Sequence, residues 1–248
     1  MSKAYCNVSI SPVRLKSEDQ SEIVTQLLFG EMVEVQEITI PWAKITVLSD
    51  GYEGYIDHKQ VTTLSQKEFK RWSEGLSYLK DRQRLLSTPW GNQWICRGAN
   101  IPEGVNKFVI GNETFQFKDE KENELSSVIE YAEDYINTPY LWGGKSPFGI
   151  DCSAIVQVIY RFFGYNLPRD ASEQVNHGTE VDFNDVTPGD LAFFENSKKK
   201  ITHVGILDGL GNIIHASGCV RKDLFTSEGI IHSETGSLTH NLFVIKRM

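Results

Sequence analysis

Residues 139–153 read Pro-Tyr-Leu-Trp-Gly-Gly-Lys-Ser-Pro-Phe-Gly-Ile-Asp-Cys-Ser and lead into an apolar run. The glycines and prolines indicate a loop, and the run from Ser153 to Phe163, closed by Gly164, predicts a helix. This places Cys152 in the first helical turn, where unpaired backbone N–H groups and the helix dipole favour an anion. Because the thiolate is the reactive form of cysteine, we expect a lowered pKa and a nucleophilic role for Cys152.

Two histidines downstream lie in strand-like segments, residues 201–207 and 212–216. The residues between them, 208–210, have the composition of a hairpin loop. A three-residue loop gives a register that places His203 directly opposite His215. Opposed side chains share one face of a sheet, so one imidazole could accept the thiol proton while the other orients it.

Each of these features also has a plainer interpretation. A cysteine before an apolar helix is often a small core residue, and two histidines across a hairpin could be a structural pair or half of a metal site. The remaining histidines have no spacing typical of metal ligands, so we expect them on the surface: His58, His177, His232 and His240. The glycine loop, Asp-Cys-Ser and the paired histidines together favour catalysis, and we predict neither a metal nor an organic cofactor.

Composition and charge limit the class of protein. The chain has 248 residues, 40% hydrophobic and 23% charged, which suits two or three small domains. Its net charge of −8 argues against a nucleic-acid partner. No apolar stretch approaches the roughly 18 residues of a membrane span, so we predict no membrane partner.

The cysteines and the N-terminus bear on the compartment. Cys6, Cys96 and Cys219 lack a CxxC or metal-ligand spacing, and we expect them to be small buried residues rather than disulfides. Residues 1–6 lack the apolar core of a signal peptide, which predicts a cytoplasmic location.

Three regions follow one another along the chain. Residues 1–64 read as short strands broken by glycine, proline and Asp-Gly turns, which predicts a small β-barrel. Residues 65–118 begin with helical spacing of aromatic and leucine residues up to Leu79 and continue as short strands, which predicts a linker helix and a second, degenerate barrel. Residues 119–248 hold the predicted nucleophile helix and an antiparallel sheet, so the fold class is α+β.

The motifs of the third region are Pro-Tyr-x-Trp-Gly-Gly, Phe-Gly-Ile-Asp-Cys-Ser, Leu167-Pro168-Arg169-Asp170, Pro188-Gly189-Asp190-Leu191, Thr202-His203-Val204-Gly205-Ile206 and Ile214-His215-Ala216. In this order they resemble the motif series of the NlpC-type cell-wall cysteine peptidases, and the first region resembles the bacterial SH3-like domains attached to cell-wall enzymes. The resemblance implies a papain-like peptidase domain with Cys152 as nucleophile, His203 as general base and His215 as the third polar member. It also implies that the Cys152 backbone N–H helps to form an oxyanion hole. Ala154 departs from the glycine that the family often has, and a helix tolerates it.

The resemblance also indicates a substrate. These enzymes cleave the bond between γ-linked D-glutamate and a diamino acid in peptidoglycan stem peptides. The combination of SH3-like domains and Leu-Pro-Arg-Asp is similar to recycling endopeptidases that need a free N-terminal L-alanine, so the implied partner is a murein peptide, L-Ala-γ-D-Glu-diamino acid. An ammonium needs a carboxylate partner when buried, and Asp170 is the first candidate. Asp170 could instead pair with Arg169 or cap the following helix.

Further substrate-binding residues implied by the resemblance are Ser153, Glu22, Tyr52, Asp151 and Trp142. Tyr55 is an alternative to Tyr52, Glu22 could be a solvated loop charge, and Ser153 could cap its own helix. Three other functions use the same features: hydrolysis of intact cell wall, binding of wall peptides by a protein with a vestigial cysteine site, and acyl transfer or amidase chemistry through the same thioester.

Overall fold

The structure is a computed structural model that describes residues 1–122 and 124–248. Contacts divide the chain into two compact units. The first comprises residues 1–124 together with 145–147, and the second comprises residues 125–144 and 148–248.

The first unit begins with a seven-stranded antiparallel sheet in the order β3-β2-β6-β5-β4-β1-β7. Its strands are β1 (Ser2–Cys6), β2 (Ile10–Arg14), β3 (Ile23–Leu28), β4 (Met32–Thr39), β5 (Trp42–Val47), β6 (Glu53–Asp57) and β7 (Val61–Leu64). Alternating side chains of β4 and β5 enter the core, as the period-2 pattern predicts. Strand β2, which contains Pro12, pairs with β3 along its length and with β6 only at Arg14.

A short helix follows the first sheet. Helix α1 (Gln66–Ser73) begins with a capping box in which Ser65 and Glu68 satisfy each other's backbone N–H groups. The predicted helix up to Leu79 is too long, because Gly75 adopts φ +75° and the chain then extends. Trp72 is the buried residue of α1, and its indole donates to the Gly30 carbonyl.

The remaining strands of the first unit are β8 (Leu76–Tyr78), β9 (Gln83–Thr88), β10 (Gly91–Cys96), β11 (Asn100–Pro102), β12 (Lys107–Ile110), β13 (Glu113–Phe117) and β14 (Lys145–Ser146). Strands β10-β9-β13-β12 form an antiparallel sheet, and β11 pairs with β8. This core includes stacked aromatic rings, with Phe108 nearly parallel to Phe115 at 5.5 Å between ring centroids. A buried ion pair also lies in the unit, where the Lys145 ammonium donates to both carboxylate oxygens of Glu31 at 2.8 and 2.7 Å.

The second unit packs helices against a seven-stranded antiparallel sheet in the order β16-β22-β17-β18-β19-β20-β21, with an added β21–β22 pairing. Its elements are α2 (Val128–Asp134), β15 (Gly149–Ile150), α3 (Cys152–Arg161), α4 (Ala171–Gln174), β16 (Thr179–Glu180), β17 (Leu191–Glu195), β18 (Ile201–Leu207), β19 (Asn212–Ser217), β20 (Cys219–Phe225), β21 (Gly229–Ile231) and β22 (Leu238–Arg247). Every residue of α3 is buried. Helix α3 contacts both β18 and β19, the strands that carry His203 and His215.

The layout of the second unit is the predicted α+β arrangement, a helix packed on an antiparallel sheet. Strand β18 has the predicted bounds, whereas β20 and β21 were not predicted. In the part of the chain that the structure describes, no helix is both long enough and apolar enough to cross a membrane.

Candidate active site

Cys152 is the first residue of α3, one position earlier than the predicted helix start. Asp151 is the N-cap, and its carboxylate accepts the Ala154 N–H at 2.9 Å. The Cys152 side chain is 7% exposed within the core cluster of the second unit. The Val204 backbone N–H reaches the Cys152 sulfur, so the thiol lies against the residue that follows His203.

The Asp151 carboxylate accepts hydrogen bonds from several protein groups. Arg169 donates from Nη1 to Oδ1 at 3.0 Å and from Nη2 to Oδ2 at 2.5 Å, a bidentate pair. Oδ2 also accepts the Gly143 N–H at 3.0 Å, and Oδ1 accepts the Ser153 hydroxyl at 3.2 Å. Sequence reasoning left open whether Arg169 pairs with Asp170. The structure pairs it with Asp151, where it fixes the glycine loop to the start of the nucleophile helix.

The two predicted histidines are hydrogen-bonded to each other. His203 Nε2 lies 2.8 Å from His215 Nδ1, and both side chains are buried. His215 Nε2 in turn lies 3.0 Å from Oδ2 of Asp223, on β20. The result is a continuous chain from His203 through His215 to a buried carboxylate.

The predicted hairpin register was wrong by two. Ile206 pairs with Ile214 and Leu207 with Ile213, so the turn is longer than the predicted 208–210. The cause is Asp208, whose Oδ1 accepts the Leu210 and Asn212 N–H groups and closes a wider turn. Because side chains alternate with period 2, a slip of two keeps His203 and His215 on one face as diagonal neighbours.

A glycine in β18 makes room for this contact. In the observed register Gly205 faces His215, and a Cβ at Gly205 would lie 2.9 Å from the His215 Cβ and 2.6 Å from Ile213 Cδ1. The absent side chain therefore lets the His215 ring fold over β18 towards His203.

His240 also lies at this site, although it was not predicted there from the sequence. Its ring stacks on His203 with centroids 4.2 Å apart and planes at 24°, and it is half-buried. His240 therefore lies only partly at the surface, and its contact with His203 was not predicted. It comes from β22, which crosses back to pair with both β17 and β21.

Burial determines the protonation states of Cys152 and His203. It raises the pKa of the Cys152 thiol to about 12, with the Asp151 carboxylate acting in the same direction and the Val204 N–H opposing both. Burial also lowers the pKa of His203 well below 6.5. The expectation that Cys152 has a lowered pKa was wrong, because desolvation outweighs the helix N-terminus. Thiol and imidazole are both neutral at pH 7.

The second unit also contains the other residues that were predicted to bind substrate. The Ser153 hydroxyl is buried and also accepts from Arg169 at 2.9 Å. Trp142 is 60% exposed in the glycine loop. Asp170 occupies the N-cap position of α4, but its side chain makes no capping hydrogen bond. Substrate binding by Asp170, Ser153, Asp151 and Trp142 stays a prediction.

Glu22 and Tyr52 belong to the first unit. Glu22 is exposed just before β3, and its carbonyl accepts the Leu15 N–H. Tyr52 packs partly against the core of the first sheet. Their contribution to substrate binding, and that of Tyr55, also stays a prediction.

The remaining cysteines are free, and two of them behave as expected. Cys6 and Cys96 are 0% and 2% exposed, whereas Cys219, the first residue of β20, is half-exposed. Within residues 1–122 and 124–248, no group of three or more His, Cys, Asp or Glu side chains is arranged to hold a metal ion.

A cysteine at a helix start, packed against a sheet that carries hydrogen-bonded histidines, defines the class of papain-like cysteine peptidases. Residues 137–235 match the model of the NlpC/P60 family, and residues 13–61 match the bacterial dipeptidyl-peptidase Sh3 domain. The chain belongs to the NlpC/P60 family and is a cysteine peptidase. The family relationship supports peptidoglycan hydrolase activity.

Individual relatives extend over most of the chain. Dipeptidyl-peptidase 6 of Lysinibacillus sphaericus is 37% identical over 79% of this chain and 81% of its own. Gamma-D-glutamyl-L-lysine dipeptidyl-peptidase of Bacillus subtilis is 29% identical over 78% of this chain and 72% of its own. The crystal structure of an NlpC/P60 family protein from Bacillus cereus has the same fold, with a TM-score of 0.81 over 99% of both chains at 21% identity.

Proposed function

We propose that this protein is a γ-D-glutamyl-L-diamino acid endopeptidase that hydrolyses murein peptides with a free N-terminal L-alanine. The chain His203–His215–Asp223 beside Cys152 carries the proposal, because it supplies a buried base next to a helix-borne thiol. The names of two relatives, which specify a γ-D-glutamyl-L-lysine bond, support the choice of a diamino acid substrate.

The proposed reaction begins with a neutral pair. His203 takes the Cys152 proton as Sγ attacks the γ-carbonyl carbon of D-glutamate, and the Cys152 N–H at the start of α3 stabilises the oxyanion. Collapse of the intermediate breaks the C–N bond, and His203 returns the proton to the departing amine of the diamino acid. Water, deprotonated by His203, then hydrolyses the thioester and releases L-Ala-D-Glu and the free thiol.

Recognition of the substrate ammonium is assigned to Asp170, next to the buried Arg169 in the Leu-Pro-Arg-Asp motif. Asp151 and Ser153 flank the nucleophile in the chain, and Trp142 lies in the glycine loop that precedes it. Glu22 and Tyr52 complete the proposed set of substrate-binding residues. The region 65–118 is proposed to be a second, degenerate SH3-like barrel. A cytoplasmic location belongs to the same proposal, because recycling acts on imported wall fragments.

The test compares four peptides: L-Ala-γ-D-Glu-diaminopimelate, its L-lysine counterpart, and N-acetylated copies of both. Released diamino acid is measured by mass spectrometry, with Cys152→Ala as the inactive control and intact peptidoglycan as a fifth substrate. We expect cleavage of free-amine peptides alone, and Asp170→Asn should raise KM for these without creating activity on acetylated ones.

Other outcomes separate the alternatives. Equal cleavage of free and acetylated peptides, or preference for intact peptidoglycan, would replace recycling with wall hydrolysis. Binding that survives in Cys152→Ala, with no cleavage by the unmodified protein, would identify a wall-peptide binding protein.

A further inference from the structure

We propose that Asp223 is a positioning residue that fixes the tautomers of both histidines, so that Nδ1 of His203 carries the lone pair that accepts the Cys152 proton. The kinetic part of this inference rests on the proposed peptidase activity. The tautomers themselves do not, and they can be measured without substrate.

Asp223 is held as an acceptor. Its side chain is 2% exposed, Oδ1 accepts the Ser233 backbone N–H at 2.9 Å, and Oδ2 lies 3.0 Å from His215 Nε2. Arg221 Nε is 2.9 Å from the same Oδ2. Burial raises the pKa of Asp223, but the hydrogen bonds from Ser233 and His215 outweigh it and lower the pKa to about 2. The carboxylate is therefore ionised at pH 7 and has no proton to donate.

The position of Asp223 follows from strand pairing. His215 opposes Arg221 and Ile213 opposes Asp223 across β19 and β20. Asp223 is thus a diagonal neighbour of His215 on the same face, within reach of its Nε2.

An ionised Asp223 determines which nitrogen of His215 carries its proton. Burial lowers the pKa of His215 to about 4, against the raising effect of Asp223, so the ring is neutral at pH 7 and has one N–H. That N–H must be on Nε2, because only a donor suits the carboxylate. His215 Nδ1 is left with a lone pair, and it faces His203 Nε2 at 2.8 Å.

The tautomer of His215 in turn fixes the tautomer of His203. Its Nε2 must donate to His215 Nδ1, and the neutral ring then has a lone pair on Nδ1. This is the nitrogen that remains for the thiol, which lies against the neighbouring Val204. When His203 gains the proton, both of its nitrogens donate and the positive charge is stabilised through His215 towards Asp223.

The sharpest kinetic test is Asp223→Asn against Asp223→Ala. The backbone N–H of Ser233 cannot move away, so it keeps the amide oxygen of the introduced asparagine on its side and turns the NH2 group towards His215 Nε2. Arg221, which is 20% exposed, can swing into solvent. The NH2 group then forces the proton of His215 onto Nδ1 and that of His203 onto Nδ1, where it blocks the thiol.

We expect Asp223→Asn to lower kcat by roughly 10³-fold or more with KM nearly unchanged, by analogy with the wrong-tautomer variant of serine proteases. Asp223→Ala, which imposes neither tautomer, should lose less. A purely structural role predicts the reverse order, because asparagine has the shape of aspartate. Arg221→Gln is the matched control: it removes the adjacent cation, keeps the acceptor and should retain most of the activity.

The direct test is ¹⁵N NMR of the histidine rings in the unmodified full chain, with His203→Gln and His215→Gln used for assignment. We expect unprotonated Nδ1 and protonated Nε2 on both rings, and the inverse pattern in Asp223→Asn. A proton on His203 Nδ1 in the unmodified protein would overturn the inference, even if every variant failed to fold. Absence of peptidase activity with the expected tautomers would overturn the proposed function and leave this inference standing.

Discussion

The candidate site has two halves, the start of the nucleophile helix and the histidine chain, and each contains a buried carboxylate. The two carboxylates differ in their hydrogen-bond and ion-pair partners. Asp151, beside the nucleophile, forms a bidentate ion pair with Arg169, which is only 2% exposed. Asp223, at the far end of the histidine chain, is held by His215 and the Ser233 N–H, and its cationic neighbour Arg221 reaches solvent. The first carboxylate thus depends on one buried cation, and the second does not.

The difference separates two tasks. Asp151 joins the glycine loop, the helix start and the Leu-Pro-Arg-Asp motif, so its contacts fix where the thiol lies. Asp223 acts through neutral imidazoles whose protonation can change, so its contacts fix where the protons lie. We therefore expect changes at the Asp151 end to act mainly on stability, and changes at the histidine end to act mainly on pH dependence.

The largest expected effect is the loss of Arg169. Arg169→Met leaves Asp151 buried without its cation, which should lower the free energy of unfolding by about 3–5 kcal/mol. Arg221→Met, at the other carboxylate, should cost about 1 kcal/mol or less because that cation is partly solvated. Urea unfolding followed by fluorescence measures both.

Equal losses for the two arginine variants would contradict the distinction between the two carboxylates. Lys59→Met serves as a surface control, since Lys59 is 70% exposed in its ion pair with Asp57.

The two halves also differ in how far the sequence could predict them. The Cys152 end is contiguous, since loop, cap and helix follow one another within residues 139–161, and its helix start was predicted within one residue. The histidine end depends on pairings between distant strands. His203 and His215 were placed on one face despite the wrong register, because a slip of two preserves the face.

Asp223 was missed because β20 inverts the usual pattern of hydrophobic burial. Its buried face carries Asp223 and Phe225, whereas Leu224 is 47% exposed. A hydrophobic alternation read from the sequence would place Asp223 in solvent. His240 was missed for a related reason, since β22 reaches His203 only through its pairings with β17 and β21.

A smaller effect, confined to the histidine end, is a loss of stability in mild acid. Burial lowers the pKa of His215 to about 4, while the unfolded chain titrates near 6.5. The unfolded state therefore binds more protons in this interval, and the free energy of unfolding falls as the pH drops from about 6.5 to about 4. His215 alone contributes about 3 kcal/mol to this fall, and His203 adds to it in the same direction.

Urea unfolding at a series of pH values checks this slope. His215→Gln should flatten the slope between pH 6.5 and 4, and the exposed His177→Gln should leave it unchanged. Asp223, with a folded pKa of about 2, titrates in a lower window: its contribution is present above about 4 and is lost as the pH falls towards 2. An unchanged slope in His215→Gln would show that His215 is not the buried neutral group described above.

The smallest expected effect concerns the ring that covers His203. His240 stacks on His203 at 4.2 Å, and such aromatic contacts are worth about 0.5–1.5 kcal/mol beyond area burial. His240→Ala should therefore lower kcat by roughly two- to tenfold as His203 loses its support, whereas His240→Phe keeps a stacking ring and should stay close to the unmodified protein. Steady-state kinetics on the free-amine peptide, with His177→Ala as the control, decides between them. If His240→Phe lowers kcat as much as His240→Ala does, the ring nitrogens of His240 support His203 and its stacking face does not. The hydrogen-bonded histidine chain would then include His240 as a third ring.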